Sequence, residues 1–210
     1  MSGVTVEVTI AYNVPLDAAA TIDAGKGRNN DDRILFELPG LSANQARDIG
    51  SAVPFLILYK DAKLQYWMQT GKGAYPYLSP EKIVDFARRN FDELKAAWEW
   101  CNANLRPTRK PLRSLGELVF YRFITARINV ARSDAFLLKV FAGLNCAPNT
   151  PEFVLRNWLL NMSQKNSEKY AMPTIRFTVA RVWNRQALKV STMRTLLHRV
   201  GEHKAERFNN

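Results

Sequence analysis

Apolar and polar residues alternate strictly at the start of the chain: Val4, Val6, Val8, Ile10 and Tyr12 are apolar, with Thr5, Glu7 and Thr9 between them. A period of two predicts an extended strand with one face to bury. Residues 16–33 are small and polar around Gly25-Lys26-Gly27-Arg28, which predicts a loop or arm. Ile34-Leu35-Phe36, just before Pro39-Gly40, reads as one short strand that needs a partner. Nothing local covers the face formed by Val4, Val6, Val8 and Ile10, so these four residues are expected to bury themselves on another copy of the chain.

From residue 42 onward the period lengthens to that of a helix. Ser42-Ala43-Asn44-Gln45 has capping-box spacing, a hydroxyl followed three residues later by a Gln. Pro54 is expected to interrupt the helix that follows, with another helix over 55–69, or a buried strand at the start of that stretch. Ser79-Pro80-Glu81 combines a cap, a proline at the first helical position and an acid near the positive end of the dipole. Ile83, Ala87, Phe91, Leu94, Trp98, Cys101 and Leu105 then predict one long helix. The stretch 105–113 breaks it with Pro107, Pro111 and the cations Arg106, Arg109, Lys110 and Arg113. Ser114-Leu115-Gly116-Glu117 starts a helix expected to run to about Ala131, Asp134 is expected to cap a short one over 135–142 that Gly143 stops, and Thr150-Pro151-Glu152 starts another. Two more are predicted over 174–188 and 192–207. The expected fold is mostly α: an extended N-terminal arm (1–41), an N-terminal helical lobe (42–105), a basic junction loop (106–113), a C-terminal helical lobe (114–189) and a helical C-terminal tail (190–210).

Charge changes this picture more than composition does. Residues 1–100 carry 11 Lys/Arg and 13 Asp/Glu, whereas residues 101–210 carry 19 and 6. A surplus of +13 in one half favours a polyanionic partner, either nucleic acid or an anionic membrane surface. The longest apolar run, 53–59, is far shorter than the ~20 residues that span a bilayer. The opening MSGVTVEVTI predicts no secretory signal. Cys101 and Cys146 form no metal or disulfide framework, which suits a reducing compartment.

Catalytic constellations are absent from the pattern. His198 and His203 are five apart, whereas two helical ligands of one metal sit at i, i+4. Gly25-Lys26-Gly27 and Gly71-Lys72-Gly73 lack the Walker A spacing and the following Ser/Thr. Cys101 falls on the apolar face of the long helix, as a core residue would. The expectation is therefore no enzyme, no cofactor, no metal and no small-molecule substrate. The cations are better organised. Arg181, Arg185 and Lys189 form a stripe at i, i+4, i+8, and the junction loop supplies Arg106, Arg109, Lys110 and Arg113. Arg88, Arg89, Arg122 and Arg127 add charge along two other helices. Among the aromatics, Tyr75 and Tyr77 lie in the Gly- and Pro-containing loop 71–80 and are the candidates for stacking on bases. Tyr59, Tyr66, Trp67 and Tyr121 are further aromatics able to stack on bases, although an aromatic at helical spacing is more often core; Trp183 reads as a packing residue. No sequence-reading DNA or RNA module is visible, so the expected binding is to backbone phosphate, largely independent of base sequence.

Two terminal segments carry a family resemblance. Ala11-Tyr12-Asn13-Val14-Pro15 with Ile22-Asp23-Ala24-Gly25 resembles the N-terminal arm of the orthobunyavirus nucleocapsid proteins. Arg181-Val182-Trp183, followed by Leu188, Met193, Leu196, Leu197 and Arg199-Val200-Gly201, resembles their closing segment. Residues 112–118 are similar in character. The resemblance implies a two-lobed helical fold with single-stranded RNA in a basic cleft. It also implies arms exchanged between neighbouring copies in rings or filaments, recognition by the viral polymerase, and a place in the virion and the host cytoplasm. The residues themselves leave two further readings open. One is a helical coat protein of a filamentous or rod-shaped plant virus. The other is a basic effector or matrix-like protein on anionic membrane or a host partner.

Overall fold

Five helices of the structure begin where a short polar side chain accepts a backbone N–H that has no partner inside the helix. The computed structural model describes residues 29–60, 78–105, 114–164, 172–184 and 208, and among them finds eight α-helices and no strand. They are α1 (Asn30–Glu37), α2 (Ala43–Lys60), α3 (Pro80–Arg89), α4 (Phe91–Asn104), α5 (Leu115–Ile128), α6 (Val130–Leu137), α7 (Pro151–Gln164) and α8 (Met172–Trp183). Ser42 accepts from Gln45 N–H and Gln45 Oε1 reciprocates with Ser42 N–H at 2.8 Å, the capping box in full. Ser79, Ser114 and Thr150 accept from the N–H three residues on, at 3.3 Å each.

Several expectations are corrected. Ile34-Leu35-Phe36 is helical, not a strand: Asp31 and Asp32 sit in the first turn of α1, where they favour the positive end of the dipole. Ile34 and Leu38, four apart, are buried on one side of it. Pro54 does not end α2, which runs through it. A proline inside a helix costs ~3 kcal/mol, and the burial of Val53, Leu56, Ile57 and Leu58 around it offsets that cost. The single long helix after Ser79 is two, broken at Asn90, whose Nδ2 and backbone N–H both donate to Phe86 O. Asn129 caps α6 by accepting from Arg132 N–H at 2.9 Å; Asp134, the expected cap, lies inside the helix. Helix α5 ends at Ile128, short of Ala131, and α8 spans Met172–Trp183. The expected strand 1–15, the loop with Tyr75 and Tyr77, the junction 106–113 and the tail 190–207 lie outside the described residues.

Helix α5 is the axis of the core. Leu115 to Thr125 are all buried, so it has no solvent face along most of its length. Helices α2, α4 and α6 pack around it, and α1 and α3 pack on α2. The approach of α2 is close enough to require glycine at 116: a Cβ there would lie 1.8 Å from Ser51 Oγ and 2.6 Å from Asp48 O. Helix α6 continues as a π-helical turn, Leu138–Ala142, which Gly143 stops at φ 78°, as its position predicts. Arg156 of α7 donates to Val140 O and Phe141 O, at 2.9 and 2.7 Å, and so holds that turn's free carbonyls. One hydrophobic cluster includes residues from both sides of the junction, and Phe208 closes it. The Phe208 ring centroid lies 6.2, 6.1 and 6.3 Å from those of Tyr59, Tyr121 and Trp183, and its N–H donates to Tyr59 Oη at 3.0 Å.

Candidate nucleic-acid interface

The chain's positive surplus is not carried by the helices just described. The described residues hold 14 Lys/Arg and 12 Asp/Glu, a net of +2, so +9 of the total +11 belongs to the remaining segments. Of the 19 cations after residue 100, twelve lie in those segments, including Arg106, Arg109, Lys110, Arg113, Arg185 and Lys189.

The predicted cations within the helices have acidic partners. Arg88 of α3 donates to Glu37 of α1 at 2.9 Å. Arg89 donates to Asp85 one turn earlier at 3.1 Å. Arg127 of α5 reaches α4, donating to Glu93 at 2.6 Å and to Asn90 Oδ1 at 2.7 Å, with its guanidinium 4.1 Å from the Phe123 ring centroid. All three are exposed, and such pairs contribute only ~0.2–1 kcal/mol each to stability. Arg122 differs. It is 8% exposed, pairs with Asp134 at 2.9 Å, donates to Ser133 Oγ at 3.2 Å and lies over the Trp100 ring. Its guanidinium joins α5 to α6 and α4 and is turned from solvent. Arg181, the one member of the 181–185–189 stripe among the described residues, is half-buried on α8.

Three further arginines were not legible as structural. Arg176 of α8 is 1% exposed and holds both carboxylate oxygens of Glu117 at 2.8 Å, with its guanidinium 3.7 Å from the Phe55 ring centroid. This pair bolts α8 to α5 and α2. Arg132 donates to Trp183 O and stacks over the Trp183 ring, and Arg156 caps the π turn. The single available signal was the run of apolar neighbours on both sides of Arg176 and Glu117, which places each charge inside a buried stretch.

Titration follows burial. Desolvation pushes the Tyr121 phenol well above its ordinary value, and the neighbouring Glu117 charge pushes in the same direction. Burial likewise raises the Cys101 thiol, and raises that of Cys146. Neither thiol has the depressed value of an activated nucleophile. Among the described residues no cluster of His, Cys, Asp and Glu could hold a metal ion, and no helix is long and apolar enough to cross a membrane. Compared with protein-family models, with curated proteins and with solved structures, the chain matches none of them.

Proposed function

We propose that the chain is a viral nucleocapsid protein, a homo-oligomer that coats single-stranded RNA through backbone phosphates, largely without reading sequence and without catalysis. The observation that carries this reading is the uneven charge along the chain: residues 101–210 carry 19 Lys/Arg and 6 Asp/Glu, against 11 and 13 in residues 1–100. Arginines of the described helices meet acids and carbonyls of their own fold, and the polyanion in this reading is met by the cations of the junction and the tail. The alternating face at residues 4–10 supplies the self-association that coating requires, and the terminal segments are those that resemble the orthobunyavirus proteins. In this reading the partners are single-stranded RNA, other copies of the chain and the viral polymerase, in the virion and the host cytoplasm.

The test is RNA affinity as a function of salt, on protein purified from cells. Four to six neutralised phosphates give a log–log slope of about −3 to −4 for single strands, with homopolymers of equal length binding alike. Protein that copurifies with nucleic acid, read as a raised 260/280 nm absorbance ratio, agrees with coating. A slope near zero, or flotation with anionic vesicles in the absence of an RNA shift, overturns the proposal in favour of a membrane-binding role.

A further inference from the structure

Helices α7 and α8 are joined to the rest of the fold by different chemistry from the helices before them. Helix α7 packs on the π-helical turn Leu138–Ala142 and on α8. Guanidinium groups cross the seam between this pair and α1–α6. Arg176 of α8 holds Glu117 of α5 through two hydrogen bonds of 2.8 Å. Arg156 of α7 donates to Val140 O and Phe141 O at 2.9 and 2.7 Å. Arg132 of α6 donates to Trp183 O and covers the Trp183 ring, 4.1 Å from its centroid. The crossing of α2 and α5 is of another kind: Gly116 lets the two backbones meet, and α5 is buried from Leu115 to Thr125.

That difference decides where the fold opens first. Separating apolar side chains exposes them to water with nothing regained. Separating Glu117 from Arg176 returns two desolvated charges to water and recovers much of the penalty that burial imposed. The carbonyls of residues 140, 141 and 183 lie at helix C-termini, where water can take the place of a guanidinium. Leu155, Leu159, Val179 and Trp183 are buried as well, so the closed form dominates.

The connection from the π turn to α7 has the backbone of a hinge. Gly143, Asn145 and Asn149 lie in the left-handed region, at φ 78°, 52° and 62°, and such residues at element ends absorb rotation. Phe208 spans the same seam. Its ring lies against Trp183 of α8 on one side and against Tyr59 of α2 and Tyr121 of α5 on the other, and its N–H donates to Tyr59 Oη.

We infer that α7 and α8 open from α1–α6 as one cooperative unit, turning on residues 138–149, with Phe208 as the strap that holds the unit closed. Opening brings Arg132, Arg156 and Arg176, all buried or half-buried in the closed form, to solvent while the crossing of α2 and α5 stays intact. The inference follows from the seam and stands independently of RNA coating.

The test is native-state hydrogen exchange of the full chain at low urea concentrations. Amides of α7 and α8 are expected to share one opening, with protection about tenfold lower than in α2 and α5 and a weaker dependence on urea, because less surface is exposed. Two substitutions assign that opening. Phe208→Leu loses the edge contacts to three rings and is expected to speed exchange in α7 and α8 about tenfold. Ile34→Val lies in α1, which packs on α2 and α3 and stays folded in the opened form. It is expected to speed exchange in α5 about fivefold and to leave α7 and α8 unchanged. Equal protection and equal urea dependence in α5, α7 and α8 of the wild type overturn the unit without need of any variant. Ile34→Val that speeds α7 and α8 as much as α5 overturns it too, because the opening is then global. A separate opening of α7 and α8 that Phe208→Leu does not move overturns the strap.

Discussion

At the residue scale, the buried charges among the described residues have partners: Glu117 with Arg176, Arg122 with Asp134, and Asp48 with Trp98. Glu117 and Arg176 are 5% and 1% exposed and lock together through two hydrogen bonds. Removing one member leaves the other charge buried alone, which costs ~3–5 kcal/mol, whereas an apolar pair of similar volume is close to neutral. Arg176→Met is therefore expected to lower stability in urea titration by about that amount, and Arg176→Met/Glu117→Met to recover most of the loss. A double variant no better than the single one would show that packing, not the orphaned carboxylate, sets the cost. Cys101 and Tyr121 predict the alkaline limit. Both have folded-state values above their ordinary ones, so the native state keeps protons that the unfolded chain releases. Their stabilisation is complete below the unfolded values and is lost as pH rises above them, from about pH 9 upward. The melting temperature should fall across that range, and Cys101→Ala should make the fall less steep even though it lowers the neutral-pH value. Thiol labelling of native protein should reach the half-exposed Cys146 first and Cys101 only on unfolding.

At the element scale, helix starts were legible because their signals are local. Ser42, Ser79, Ser114 and Thr150 all act through the backbone three residues on. The misread positions are those where tertiary packing decides. Ile34-Leu35-Phe36 has strand-like composition, but α2 offers its Gly50 to the backbone of α1 and the segment packs there as a helix. Pro54 carries a breaker's signal, and the surrounding burial overrides it. Asn90 breaks a helix that the apolar spacing alone would continue, and its Oδ1 then receives Arg127 from 37 residues away. Gly116 tests the central crossing. Alanine in a helix gains ~1 kcal/mol over glycine, but here its Cβ would meet Asp48 O at 2.6 Å. Forcing apart a close-packed contact costs ~1–3 kcal/mol, and the neighbour is backbone that cannot rotate away. Gly116→Ala is expected to destabilise by about 1 kcal/mol net in urea titration; a stabilised variant would mean that α2 and α5 can separate freely.

At the scale of the whole molecule, the candidate cations sort by which acids the fold brings to them, and only part of that sorting is visible in sequence. Asp85 and Arg89 are four apart and could have been paired on inspection. Glu37 and Arg88 are 51 residues apart, and Glu93 and Arg127 are 34 apart, so their pairing waits on the packing of α1 on α3 and of α4 on α5. The same logic separates two sets of variants. Arg88→Ala/Arg127→Ala removes cations already opposed by acids. It should lower stability by ~1 kcal/mol or less and leave the salt dependence of RNA binding nearly unchanged, because Glu37 and Glu93 compete with phosphate at those positions. Arg106→Ala/Arg109→Ala/Lys110→Ala/Arg113→Ala removes four cations from the segments that hold the surplus. At ~0.7 per single-strand phosphate, the log–log slope should become shallower by about 2 to 3, with the melting temperature preserved. Affinity at three salt concentrations beside a thermal melt reads both sets. If the paired set changes the slope and the junction set changes the melt, the framework holds the RNA and the junction holds the fold, and the division of charge has been assigned the wrong way round.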